Sequence, residues 1–75
     1  MAELLVKRVG RHIAKVRAAN GLRQVDISGL TELSQPIISE IENGRFRGLA
    51  LNTLEKICLA LNMSVKEFFD SMPGE

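Results

Sequence analysis

The chain has 75 residues, 45% of them hydrophobic and 25% charged, with one Cys, one His and no Trp or Tyr. That length leaves room for one domain, read as residues 1–75 with a core over about 5–70, and excludes multi-domain catalytic architectures. The net charge of +1 hides an asymmetry: residues 1–47 hold eight Lys/Arg against five Asp/Glu, whereas residues 48–75 hold two against four, so a polyanion is expected to meet the first half.

Apolar residues recur at helical spacing from end to end. Leu5, Val9, Ile13 and Val16 form one stripe of a first helix, with Lys7, Arg8, Arg11, His12, Lys15 and Arg17 between them, mostly on the wet side. Asn20-Gly21 ends it, because both residues accept the left-handed conformation common just past a helix. A short second helix over about 23–30 turns Ile27 and Leu30 inward, and Thr31, Glu32 and Leu33 make a tight connection. Ser34 is a good N-cap for a third helix, and Pro36 sits in its first turn, where a missing N–H does no harm. Ile38 and Ile41 face inward on that helix, and Asn43-Gly44 closes it.

Arg45 to Ala50 reads as a loop carrying two arginines around Phe46. A fourth helix over about 51–61 buries Leu54, Ile57, Cys58 and Leu61. Ser64 and Glu67 form a capping box that starts a fifth helix with Val65, Phe68 and Phe69. No period-two alternation is long enough for a strand. The expected fold is therefore all-α: five short helices, with a frayed tail from Ser71 onward.

The stretch from Leu22 to Gly44 has the dimensions of a helix-turn-helix, whose second helix fits a major groove about 12 Å wide. Its outward residues are Gln35, Ile37, Ser39, Glu40 and Asn43, with no Lys or Arg among them. Phosphate affinity must then come from the flanks, namely Arg23, Gln24, Arg45, Arg47 and the free N–H groups of helix starts.

From about Val9 to Phe69 the sequence resembles the Cro/C1-type (XRE-like) helix-turn-helix regulators. The matching text is VGRHIAKVRAANGLRQ, LSQPIISEIENGR and LNTLEKICLALNMSVKEFF, of which the run Ser34-Gln-Pro-x-Ile-Ser-x-Ile-Glu-Asn-Gly44 is the most specific. The resemblance implies a compact bundle of the lambda-repressor-like type that binds operator DNA, usually as a two-fold dimer. It further implies that Gln24 bonds a phosphate, that Gln35 faces a base edge, and that Pro36, Ile37, Ser39 and Glu40 share the groove-facing surface. Asn43, Arg45 and Arg47 match the stretch that grips backbone beyond the recognition helix. Arg17 and Glu42 match a partly buried salt bridge between the first and third helices. Three positions depart from the pattern: Arg23 replaces a Ser or Thr cap, Glu32 replaces a Gly in the turn, and Ser28 replaces an interhelical Ala. A buried Ser28 hydroxyl would need a partner.

Gln35 would favour adenine, since one amide can bond N6 and N7 together. Ile37 is either a partner for a thymine methyl or an isolated exposed isoleucine. Glu40 has three open readings: acceptor from cytosine N4, a charge facing away from DNA, or a discriminator against wrong operators. Leu49, Ala50, Leu51 and Leu59 are read as a dimer contact rather than scattered surface leucines. Cys58 is a core residue and His12 a solvated one.

No Ser/His/Asp set, carboxylate dyad, glycine-rich phosphate loop or metal-ligand spacing is present, so an enzyme is not expected. Neither a signal sequence nor a membrane span is legible, and one cysteine forms no internal disulfide, so the expected setting is cytoplasmic. The sequence thus points to a homodimeric transcriptional regulator on a pseudo-palindromic operator, without metal, cofactor or small-molecule ligand. The rival is an antitoxin-type module that binds a protein partner and regulates its own operon.

Overall fold

A computed structural model of the protein describes residues 3–74, in the order α1 (Leu5–Ala19), α2 (Gln24–Thr31), α3 (Gln35–Glu42), α4 (Leu51–Ala60) and α5 (Val65–Ser71). No strand occurs among the described residues. α1 packs on α3, α2 packs on both α3 and α4, and α4 carries α5. Val9, Ile13, Ile27, Ile38, Ile41, Leu54, Ile57, Cys58, Leu61 and Phe68 close the core between them. Burial, with Glu55 adding a smaller repulsion, pushes the Cys58 thiol up to about 11, which keeps it protonated and unreactive at neutral pH.

The ends of the helices follow from local chemistry. At the end of α3, Gly44 takes φ +70°, its N–H bonds the Ile41 carbonyl at 3.1 Å, and the Arg45 N–H reaches back to the Glu40 carbonyl at 2.9 Å. This paired closure satisfies two otherwise open carbonyls and turns the chain sharply off the helix. The same pairing closes α1 around Gly21. At the start of α5, the Ser64 hydroxyl accepts from the Glu67 N–H at 3.0 Å and the Glu67 carboxylate accepts from the Ser64 N–H at 2.9 Å.

The substituted positions each find a local solution. Glu32 adopts φ 64°, so the turn keeps left-handed backbone without glycine. The cost for a side-chain-bearing residue is about 1–2 kcal/mol. Arg23 supplies no side-chain cap, yet its own N–H is held by the Asp26 carboxylate at 2.7 Å, and its guanidinium meets the same carboxylate. The Ser28 hydroxyl donates to the Leu33 carbonyl across the turn. Beside it, the buried Thr31 hydroxyl donates to Ile27 and accepts from the Leu33 N–H.

Four local expectations are corrected. Leu5 is exposed rather than part of the core stripe. Leu30, expected to turn inward, is 64% exposed. An eight-residue helix whose inner line is taken by Ile27 and Thr31 has no room for it there. His12 is not solvated: it is only 6% exposed, because α5 lies over it and Phe68 meets its ring edge-on at 4.9 Å. The segment expected to fray makes contacts instead, with Ser71 bonding His12, Met72 packed on the core, and the Pro73 carbonyl accepting from Arg8.

One close approach fixes the position of α3. A Cβ built on Gly10 would lie 2.1 Å from the Ile41 carbonyl oxygen, far inside contact distance, so α1 and α3 meet backbone to backbone. Gly10→Ala should therefore lower the unfolding free energy by about 1–3 kcal/mol, measured by urea denaturation. Gly29→Ala, on an open face of α2 with nothing within 4 Å, should be neutral or stabilising by up to about 1 kcal/mol. Equal effects at the two glycines would contradict the assigned close approach.

Candidate nucleic-acid interface

At about 100° per residue, Gln35, Ser39, Asn43, Pro36 and Glu40 fall on one arc of α3 about 140° wide. Ile38 and Ile41 lie on the opposite side and are buried. Gln35, Pro36, Glu40 and Asn43 are exposed, and Ser39 is half-buried at the edge. Ile37 borders this arc beside Glu40, half-buried and packed against the core, so it is neither isolated nor fully outward. The result is a polar ridge backed by a rigid apolar wall.

Both ends of the ridge are fixed. Ser34 takes extended backbone, and its hydroxyl accepts from the Ile37 N–H at 3.4 Å, with Pro36 in the first turn. One backbone N–H of that turn, that of Gln35, is left free, since Pro36 has none and that of Ile37 is held by Ser34. At the other end, the Asn43 amide donates back to the Ser39 carbonyl at 2.8 Å and the Ser39 hydroxyl at 3.4 Å. That bond commits Asn43 to its own helix. Arg45 and Arg47 follow at once, exposed and without an ion-pair partner among the described residues.

Behind the ridge lies a polar network. Arg17 of α1 meets Glu42 of α3 in two parallel bonds, Nε to Oε2 at 2.6 Å and a terminal nitrogen to Oε1 at 3.0 Å. The Glu42 side chain is only 6% exposed. A further Arg17 nitrogen donates to the Leu22 carbonyl at 2.8 Å, which holds the link between α1 and α2. Gln24, the first residue of α2, donates through Nε2 to Glu42 Oε1 at 3.0 Å. One of its two amide protons is so occupied, and the other is left for an outside acceptor. Hydrogen bonding to Glu42 raises the Arg17 guanidinium above its ordinary value, so it is charged at any accessible pH.

The expected site residues thus fall into two groups. Gln35, Pro36, Glu40, Arg45 and Arg47 stand outward together, with Ser34 capping and Ser39 and Ile37 at the margins. Gln24, Asn43 and Arg23 are engaged with Glu42, Ser39 and Asp26 respectively. Two contributors were missed in the sequence. Asp26 orders the entry to α2, and its signal is an acidic residue three positions after the cap. Gly10 permits the close approach of α1, and a helical glycine facing the core side is its signal.

Leu49 and Leu51 line one hollow and Leu59 another. Leu49, Ala50 and Leu51 line an open apolar hollow of about 260 Å³ with Leu5, Val6 and Phe69. Leu51 is 77% exposed there, while Leu49 is half-buried against the core. Leu59, 67% exposed, lines a separate hollow with Leu30, Glu32 and Lys56. Eight residues of helix separate the two leucines by about 12 Å along its axis.

A model of the Cro/C1-type HTH DNA-binding domain matches residues 12–74. Among solved structures, the chain is similar to the restriction-modification controller protein C.Esp1396I, seen as a tetramer in complex with its natural 35 base-pair operator. Identity is 31% over 95% of this chain and 92% of that one, with a TM-score of 0.85. It is also similar to the controller protein C.AhdI from Aeromonas hydrophila, at 26% identity over 85% of this chain and 96% of that one, with a TM-score of 0.79. A third neighbour, the clp gene regulator ClgR from C. glutamicum, shares 26% identity over 97% of each chain at a TM-score of 0.84. No curated protein matches the sequence.

The network behind α3 has a measurable consequence. Glu42→Ala leaves the Arg17 charge without its carboxylate in a half-covered site and should lower the unfolding free energy by about 3 kcal/mol in urea denaturation. A change below about 0.5 kcal/mol would show that the pair is screened like a surface salt bridge.

Proposed function

Since the chain belongs to the Cro/C1-type helix-turn-helix family of DNA-binding domains, we propose that it is a non-enzymatic transcriptional regulator that binds a pseudo-palindromic operator as a homodimer, with α3 of each copy in the major groove. The observation that carries this reading is the outward polar arc of α3, held against α1 and α2 by a buried core and by the Arg17–Glu42 network. Gln35 reads a base edge from the N-terminal end of that arc, where an inserted helix lies deepest. Arg45, Arg47, the second amide proton of Gln24 and the free backbone N–H of Gln35 supply phosphate contacts. Glu40 is outward and unpaired among the described residues, which favours a role in discrimination over one in structure.

Dimerisation through the hollow lined by Leu5, Leu49, Leu51 and Phe69 supports this arrangement. It is the more apolar of the two exposed leucine patches, and covering Leu51 there removes a large side chain from water, worth about 1.5–3 kcal/mol per copy. Half-sites one helical turn apart place the two α3 helices about 34 Å apart, within reach of two copies of a molecule 36 Å long. The Leu30–Leu59 hollow lies apart from that surface and favours the second reading, a protein partner of the antitoxin type.

Selection of bound duplexes from a random pool tests the whole reading: an enriched two-fold symmetric site is expected, and no enrichment over competitor DNA would overturn it. On the selected site, Gln35→Ala should cost about 1–3 kcal/mol and relax preference at one base pair per half-site. Arg45→Ala should weaken binding to all sequences alike. It should also flatten the slope of log affinity against log salt by about 0.9 for each phosphate that the arginine neutralises. Sedimentation should show Leu51→Glu shifted to monomer and Leu59→Glu unchanged; the reverse pattern would move the dimer surface to the other hollow.

A further inference from the structure

The single histidine of the chain lies away from the DNA-facing ridge, where α5 closes over α1. His12 Nε2 and the Ser71 hydroxyl are 2.8 Å apart, and that hydroxyl donates its only proton to the Phe68 carbonyl at 2.9 Å. With that proton turned to Phe68, Ser71 accepts from the ring, and on this basis we assign the imidazole proton to Nε2, which leaves Nδ1 as a bare acceptor. Nδ1 is buried and has no hydrogen-bond partner among the described residues. A second proton on the ring would have to sit at this closed position, with nothing to receive its hydrogen bond.

The surrounding charges act in the same direction. Arg8, Arg11 and Lys15 of α1 line the hollow beside the ring, together with the tail residues Met72, Pro73 and Gly74. Among the described residues the one carboxylate lining that hollow, Glu3, is tied to Arg11 by bonds of 2.6 and 2.9 Å. On α5 itself, Glu67 is held in the capping box and Asp70 is paired with Lys66. None of these carboxylates bonds the ring. Burial first, and then Lys15, hold His12 below its ordinary value.

We propose that His12 is an acid-sensitive latch fastening α5 to α1, and that its protonation releases the segment from Phe68 to Met72. The proton comes from solvent and binds Nδ1 once the ring is exposed; the imidazolium then stays out, because the docked position has no acceptor for it. The docked form binds fewer protons than the released form. Docking is therefore complete above the ordinary histidine value of about 6.5 and weakens as pH falls below it. Phe69 leaves with the segment and takes one wall of the Leu51 hollow away. That last consequence rests on the dimer reading above, whereas the latch itself does not.

Proton NMR of the full chain resolves this directly, since only one imidazole contributes. The expected midpoint for His12 lies below about 6.5, and hydrogen exchange at Phe68–Met72 should be at least tenfold faster at pH 5 than at pH 7.5 after correction for intrinsic rates, relative to Ile27 and Ile38. His12→Gln keeps a donor toward Ser71 and cannot be charged, so its exchange ratio should be the same at both pH values. A midpoint at or above 6.5, a uniform change along the chain, or an unaltered acid response in His12→Gln would each overturn the latch. If His12→Gln fails to fold, the wild-type midpoint and residue-resolved exchange decide alone. Neither readout uses DNA or the dimer, so failure of the latch and failure of the operator reading remain distinct.

Discussion

The meeting of α1 and α3 is the constraint on which the rest of the structure depends. Gly10 lets the two backbones touch, so the distance between the helices is set by main-chain atoms rather than by a deformable side chain. Arg17 and Glu42 then fix rotation and slide, because a planar guanidinium bonded twice to a carboxylate tolerates little of either. Gln24 and the Leu22 carbonyl join the same cluster, and so the start of α2 is referred to the same point as the end of α3. A helix of eight residues has little stability of its own. What makes α3 a rigid ridge is that its inner side is pinned in three directions.

This arrangement also separates two jobs that polarity alone would merge. Glu42 and Gln35 are both polar residues of α3, yet one is nearly sealed and the other stands in water. Removing the first would unmake bonds to two other helices, whereas the second makes no bond that the fold requires among the described residues. Gln24 straddles the division, with one amide proton turned inward to the network and one available outside.

Much of the fold is legible in the sequence because helix ends carry strong local chemistry. Asn20-Gly21, Ser34, Asn43-Gly44 and the Ser64–Glu67 box place four boundaries within a residue or so, and the apolar periodicity names nearly all of the core. The failures have a common cause. Periodicity places His12, Leu5 and Leu30 by their position on their own helix, but their exposure is decided by whether another helix lies over them. α5 covers the side of α1 that carries His12, while nothing covers Leu30. The same holds at the site: which residues of α3 face outward follows from periodicity, whereas the capture of Asn43 by Ser39 and of Gln24 by Glu42 depends on side-chain partners that spacing alone does not select.

Placing every basic group of the ridge at its ends has an effect on how such a protein would search a genome. Attraction to arbitrary duplex comes almost wholly from displaced counterions, and a recognition helix without Lys or Arg displaces few of them. A helix of this composition would add little to the hold on unrelated sequence, so less of the cellular pool would be sequestered there. Occupancy of the target would then follow the number of copies made with little lag.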